Sequence, residues 1–212
     1  MATLVSVNAG TGTPIGTRTR PSGIDKRPVD GAVRLAAPGP KGRGSSGVSG
    51  DVVVDRRHHG GDDQAVYAYA REDLDWWQAD IGRPLAGGVF GENLTTAGLD
   101  VNGAVIGERW RVGDAVELVV TTPRIPCRTF STWMAVPRWK ARFTAAARPG
   151  AYLRVAVPGE VQAGDEILVV DRPDHPITVA VMFRALTDEP ELLPSLVAAG
   201  AHLVAELRGV TG

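Results

Sequence analysis

The only cysteine of the 212-residue chain lies in the stretch TTPRIPCRTFSTW, residues 121–133. A structural cysteine normally sits inside an apolar run, whereas Cys127 follows a polar, proline-containing segment and has Arg124 and Arg128 close by. Positive neighbours favour the thiolate, which is both a nucleophile and a soft metal ligand, so the pattern suits a reactive or metal-binding sulfur. Pro123 and Pro126 restrict φ at two positions and would preorganise the segment for a ligand. A loop thiol without a role is the competing reading. One thiol without nearby histidine or cysteine partners cannot build a tetrahedral zinc site. A ligand that brings its own metal removes that difficulty, and an anionic one would engage Arg124 and Arg128, because guanidinium binds phosphate in a bidentate fork.

His58 and His59 form the next candidate group. They stand in RRHHGGDDQAVY, beside two arginines and two glycines, where backbone and side-chain donors can approach an anion. A solvated charge run is the alternative there. His175 and His202 fall in a turn and a surface helix and read as solvated. No GxSxG elbow, HExxH, CxxC or Walker A loop occurs. GRGSSG at 42–47 matches the letters of a dinucleotide fingerprint, but a strand-like DVVVD follows where a helix is required.

These residues need a scaffold, and the sequence describes a β-rich one. TLVSVN (3–8) alternates like a strand, and a loop containing a hairpin turn follows to residue 23; a short strand is expected near Ala32 to Leu35. Residues 38–50 hold five glycines, two prolines and three serines, the composition of a mobile surface loop outside the core. QAVYAY (64–69) predicts a strand, and Leu74, Trp77 and Ile81 predict a helix over 71–82. Segments 101–122 and 152–173 alternate between Asn-Gly and Gly-Asp turns, as successive antiparallel strands do. RWKARFTAAARPG between them predicts a helix with Trp139, Phe143 and Ala146 on one face. Trp133 and Trp139 read as core or pocket wall. The tail predicts two short helices, with a capping box at Asp188 and Glu191 and a stripe of Leu192, Leu196, Leu203 and Leu207. The fold class is therefore mostly β (α+β), a β body over residues 1–173 with a helical hairpin over 174–212 packed on it.

Lys plus Arg number 23 against 24 Asp plus Glu, so overall charge gives no argument for nucleic acid, and any anion site must be local. No window approaches the ~18 apolar residues of a membrane span, and the N-terminus lacks a signal-peptide pattern. With one cysteine and hence no internal disulfide, a cytoplasmic protein is expected.

HGGDDQAVYAY, FGENLTTAGL, IGERWRVGDAVELVVTTPRIPC and AYLRVAVPGEVQAGDEI together resemble the MOSC domain, the module also found at the C-terminal end of molybdenum cofactor sulfurases. SVNAGT and GIDKRPVDG resemble its stand-alone bacterial YiiM-like branch. The likeness runs from about residue 4 to 171 and implies a MOSC-type β-barrel. It further implies binding of the molybdenum cofactor, a pterin dithiolene carrying molybdenum and a phosphate, with reduction of N-hydroxylated compounds such as hydroxylaminopurines. Cys127 falls at the family's cysteine and would be metal ligand and catalytic residue; Lys26, His59, Asn93, Arg124 and Arg128 would hold the cofactor. The family's Pro-Cys-x-Lys is altered, with Thr129 at the lysine position and Arg128 beside it.

Electrons would come from a separate reductase, since nothing resembles a flavin or nicotinamide site. Nucleic-acid and membrane partners are not expected, and a homodimer is left open. Asn93 in a strand-connecting turn and Lys26 as a solvated hairpin charge are the alternatives to cofactor roles. A non-catalytic carrier of cofactor or persulfide sulfur is the alternative function, and a β scaffold with an incidental thiol is a third.

Overall fold

A computed structural model describes residues 1–16 and 21–209. Seven strands form the body: β1 (Ala2–Ala9), β2 (Val66–Ala70), β3 (Leu94–Ala97), β4 (Arg109–Val112), β5 (Val116–Pro123), β6 (Ala151–Val157) and β7 (Glu166–Asp171). Around the sheet the order is β7-β4-β5-β6-β2-β3-β1, and pairing of Ala2 with Ile167 joins β1 to β7, closing a barrel without free edges. All neighbours are antiparallel except β2 and β3, which are parallel. A parallel pair requires a crossover, and α1 (Arg71–Ile81) supplies it, ending at Gly82 with φ 69°.

Period-2 alternation fills the barrel with aliphatic side chains, including Leu4, Val66, Leu118, Leu153 and Ile167. A second core lies outside it and is aromatic. Tyr69, Trp77, Phe90, Phe130, Trp139 and Phe143 pack between the barrel wall, α1, α2 (Arg128–Met134) and α3 (Trp139–Ala146), with Trp77 and Trp139 centroids 4.6 Å apart. Trp133, half-buried, packs against this core, as the sequence indicates. The tail joins both cores. Val179, Met182 and Ala185 of α4 (Val179–Thr187) pack on the barrel, while Phe183 meets the aromatic cluster.

Four local expectations are corrected. The segment 38–50 is not outside the core: Val48 is buried and bridges Leu35, and Gly47 exchanges backbone bonds with Ala36 and Ala65. Polar composition misleads here because the glycines serve close backbone approach; a Cβ on Gly47 would lie 2.8 Å from Ala36 O and Ala65 Cβ. DVVVD is not a strand, since Val52 N–H bonds Gly10 O and Val53 N–H bonds the Ser45 hydroxyl instead of a ladder. The capping box does not form. Asp188 is the C-cap of α4, Arg184 pairs with Glu189, and the second arm of the hairpin, Pro190–His202, is 3-10 in character because it contains Pro190 and Pro194. His175 is not simply solvated, since its ring is bonded to Ile106 O at 2.9 Å and to Ile177 N–H.

The hairpin expected after β1 has paired stems at Thr13–Pro14 and Pro21–Ser22, and its connection at 17–20 lies outside the described residues. The expected helix at 138–150 is α3, but α2 and β3 are absent from the sequence reading.

Candidate functional site

A cleft of about 260 Å³ opens where β2, β5 and β6 meet the loops of residues 21–26, 46–60 and 91–93. This is near the lower end of small-molecule sites and too narrow for a macromolecular surface. Lys26, His59, Asn93, Arg124 and Cys127, separated by up to 101 positions in the chain, all line it. Arg128 does not: it is exposed on the first turn of α2, and Thr129 faces the cleft instead. The altered Pro-Cys-x-Lys motif therefore does not carry a displaced cation to the same place.

Cys127 is placed by local chemistry. Pro126 disfavours helix at Ile125, and Cys127 is extended at φ −100° as the N-cap, so α2 starts at Arg128. Its Sγ caps the helix, accepting from Phe130 N–H at 3.5 Å. Phe130 and Met134, four apart, bury the opposite face of α2 in the aromatic core. Burial pushes the thiol's pKa up, but a hydrogen bond with His59, the Arg124 charge and the Phe130 N–H outweigh it and hold it at about 6. Cys127 is thus anionic at neutral pH.

Arg124 follows β5 directly and is buried. Its guanidinium lies 3.9 Å from the Phe130 centroid and 5.1 Å from that of Tyr67, and Nη1 donates to Phe90 O. Burial disfavours its charge, yet Tyr67, Tyr152 and Cys127 leave it more firmly protonated than usual.

Lys26 is not a solvated hairpin charge. It is 8% exposed and ion-paired with Asp51, whose side chain is 1% exposed. Burial lowers the lysine's pKa despite that partner, a state only a close carboxylate makes tolerable. In Asp51 burial raises the pKa, but Lys26 and hydrogen bonds from Ser46 and Asn93 prevail and hold the carboxyl below its usual range.

Asn93 is buried and its amide is fully engaged. Nδ2 donates to Asp51 Oδ2 at 2.9 Å and Asn8 O at 3.2 Å, while Oδ1 accepts from Tyr67 N–H. It is neither a turn residue bonding its own backbone nor a free donor to a ligand. Its side chain ties β1, β2 and the Asp51 loop together at the cleft floor.

His59, half-buried, borders the sulfur, whereas His58 turns outward to an exposed pair with Asp55. The sequence reading missed Asp51, Tyr67, Tyr152 and Ser46, all in the cleft wall. For Asp51 the available signal was an acid beside a glycine-rich loop, too common to single out.

The donor set speaks to which ligand fits. Among the described residues no group of three or more His, Cys, Asp or Glu could hold a metal ion. One soft thiolate beside a guanidinium suits a metal that arrives within an anionic organic ligand supplying its other donors. No described helix is long and apolar enough to cross a membrane.

Comparison with known proteins places these features. The family model described as MOSC domain matches residues 55–168. The protein YflK of Bacillus subtilis (strain 168) is 34% identical over 158 residues, 74% of this chain and 67% of that one. A protein named Reductase from Gibberella moniliformis (strain M3125 / FGSC 7600) is 32% identical over 161 residues, 72% of this chain; the match spans only 26% of that longer protein. The crystal structure of YiiM from Geobacillus stearothermophilus superposes with a TM-score of 0.76 at 25% identity, covering 100% of this chain and 97% of that one.

Proposed function

The chain belongs to the MOSC domain family and is similar in structure to YiiM, and from this we propose that it binds the molybdenum cofactor through Cys127 and reduces N-hydroxylated compounds. The observation that carries the proposal is the Cys127 sulfur lining the cleft beside Arg124, where among the described residues no group of three or more His, Cys, Asp or Glu could hold a metal ion without donors of the ligand's own. The relative named Reductase supports an oxidoreductase over a passive carrier.

The residues divide the work. Cys127 thiolate would ligate the metal, with α2 capping holding the sulfur still. Arg124, fixed over two aromatic rings, would face the anionic edge of the cofactor with its remaining N–H donors. Lys26 adds positive charge nearby, although Asp51 neutralises most of it. His59 keeps the thiol ionised and borders the space where the substrate would enter. The Tyr152 phenol, its pKa raised by burial, keeps its proton at neutral pH and, as part of the cleft lining, would offer a hydrogen-bond donor to a bound ligand. The bound cofactor would supply the two-electron redox centre, which the protein orients. Electrons would reach it from a separate reductase.

The test is elemental and pterin analysis of wild type and Cys127→Ala, expressed where the cofactor is made, followed by hydroxylaminopurine reduction with an artificial electron donor. Stoichiometric molybdenum in wild type, its loss in the variant, and turnover are expected. Cofactor without turnover would support the carrier reading; no cofactor in wild type even after reconstitution would sink both.

A further inference from the structure

Glu92 touches nothing in the cleft, yet the cleft is organised around it. Its carboxylate is 0% exposed and accepts from Gly88 N–H at 2.6 Å, Phe90 N–H at 2.9 Å and the Thr95 hydroxyl at 3.1 Å. Two of these partners are obligatory donors, so both oxygens must accept; burial raises the carboxyl's pKa to about 7, and even when protonated it keeps acceptor capacity on both oxygens, which an amide does not. The turn so fastened presents two carbonyls toward the site. Phe90 O accepts from Arg124 Nη1, and Val89 O accepts from Trp133 Nε1 at 2.6 Å. Trp133 belongs to α2, the helix capped by Cys127. One turn therefore anchors both the cation and the helix that carries the thiol.

The turn also has little room to drift. Gly88 and Gly91 have φ of 87° and 76°, and a Cβ would lie 2.4 Å from Lys26 O at the first and 3.0 Å from Ile24 at the second. The aromatic faces of Phe130 and Tyr67 set the depth of the guanidinium, but a face alone does not fix rotation in its plane; Phe90 O does.

We propose that Glu92 is a positioning residue of this site, fastening the 88–91 turn so that Arg124 and, through Trp133 in its last turn, the short helix α2 that carries Cys127 are held in register across the cleft. The inference deepens the proposed cofactor role of Arg124 and rests on that reading for its consequence in cofactor binding. The geometry can be tested on cofactor-free protein, so the two can fail separately.

The probe is alkylation of Cys127 by iodoacetamide at a fixed pH of about 5.5, where the thiolate fraction depends steeply on the nearby charge. Glu92→Gln puts an NH2 group against an N–H donor and should release the turn. A midpoint raised by about one unit cuts the thiolate fraction about eightfold at this pH, so alkylation is expected to slow by about threefold after allowing for the greater intrinsic nucleophilicity of a more basic thiolate. Arg124→Met should slow it at least as much, and Glu92→Asp should restore part of the rate. Leu196→Ala loses stability in the barrel core without touching the cleft lining and should leave the rate unchanged, separating positioning from general loosening. If Glu92→Gln does not fold, Thr95→Val removes one bond to the carboxyl, along with the one Thr95 accepts from Asn8 Nδ2, and should shift the rate in the same direction by less. Rates within twofold of wild type in the folded Glu92 and Thr95 variants, or in Arg124→Met, would overturn the proposal. Slower alkylation in a protein that never takes up molybdenum would uphold it while removing the cofactor reading.

Discussion

At the scale of single residues, the site turns on how burial and charge are balanced. Cys127 should be alkylated with an apparent pKa near 6, and Arg124→Met should raise that midpoint by roughly one unit, because an adjacent opposite charge is worth one to three; a pH–rate profile measures both. Cys127→Ser keeps a competent helix cap, so its urea stability should stay within about 1 kcal/mol of wild type while the proposed molybdenum binding is lost. Asp51 is the residue whose removal should hurt the fold. Asp51→Ala leaves Lys26 buried and unpaired and should cost about 3–5 kcal/mol, read from urea unfolding. Its pH dependence has a definite sign: the folded pKa lies below the ordinary 3.8, so the carboxylate's contribution is full above that value and is lost as pH falls through the lower folded value. Unfolding midpoints followed from pH 6 toward pH 3 should fall most steeply at the acid end in wild type, and less so in Asp51→Asn. The cysteine and Arg124 were legible in the sequence, since a thiol between cations is unusual. Asp51 was not, because its meaning lies in Lys26, twenty-five positions away.

At the scale of elements, the glycine-rich segment 38–50 is the instructive case. Its composition predicts a surface loop, but two of its glycines, Gly44 and Gly47, are places where backbone passes backbone. Gly47→Ala should cost about 2–3 kcal/mol because the chain around Ala36 and Ala65 must move. Gly50→Ala, at φ 80° with nothing within 4 Å of the added carbon, should cost only the local conformational strain, about 1–2 kcal/mol. Paired urea titrations of the two variants distinguish crowding from strain. The missed helix α2 follows the same logic. Its seven residues carry too short a pattern to show helical periodicity, and its helicity comes from the Cys127 cap and from burying Phe130 and Met134.

At the scale of the whole molecule, the tail is part of the body, since residues of α4 belong to both cores. Phe183→Ala should destabilise by about 3–5 kcal/mol, and deletion of residues 176–212 should abolish cooperative thermal unfolding by exposing the barrel flank that α4 covers. Barrel strands and long helices were readable because alternation and 3.6-residue periodicity are local consequences of which face is buried. By itself the sequence determined a β-rich body, short helices around it and a thiol among cations, all properties that neighbouring residues settle between themselves. Only the tertiary structure decided that the barrel closes through Ala2 and Ile167, that Arg128 stays outside while Thr129 faces in, and that Asn93 is spent on scaffolding. Those outcomes depend on contacts between segments tens of residues apart, where the winner is set by which polar groups find partners once water is excluded.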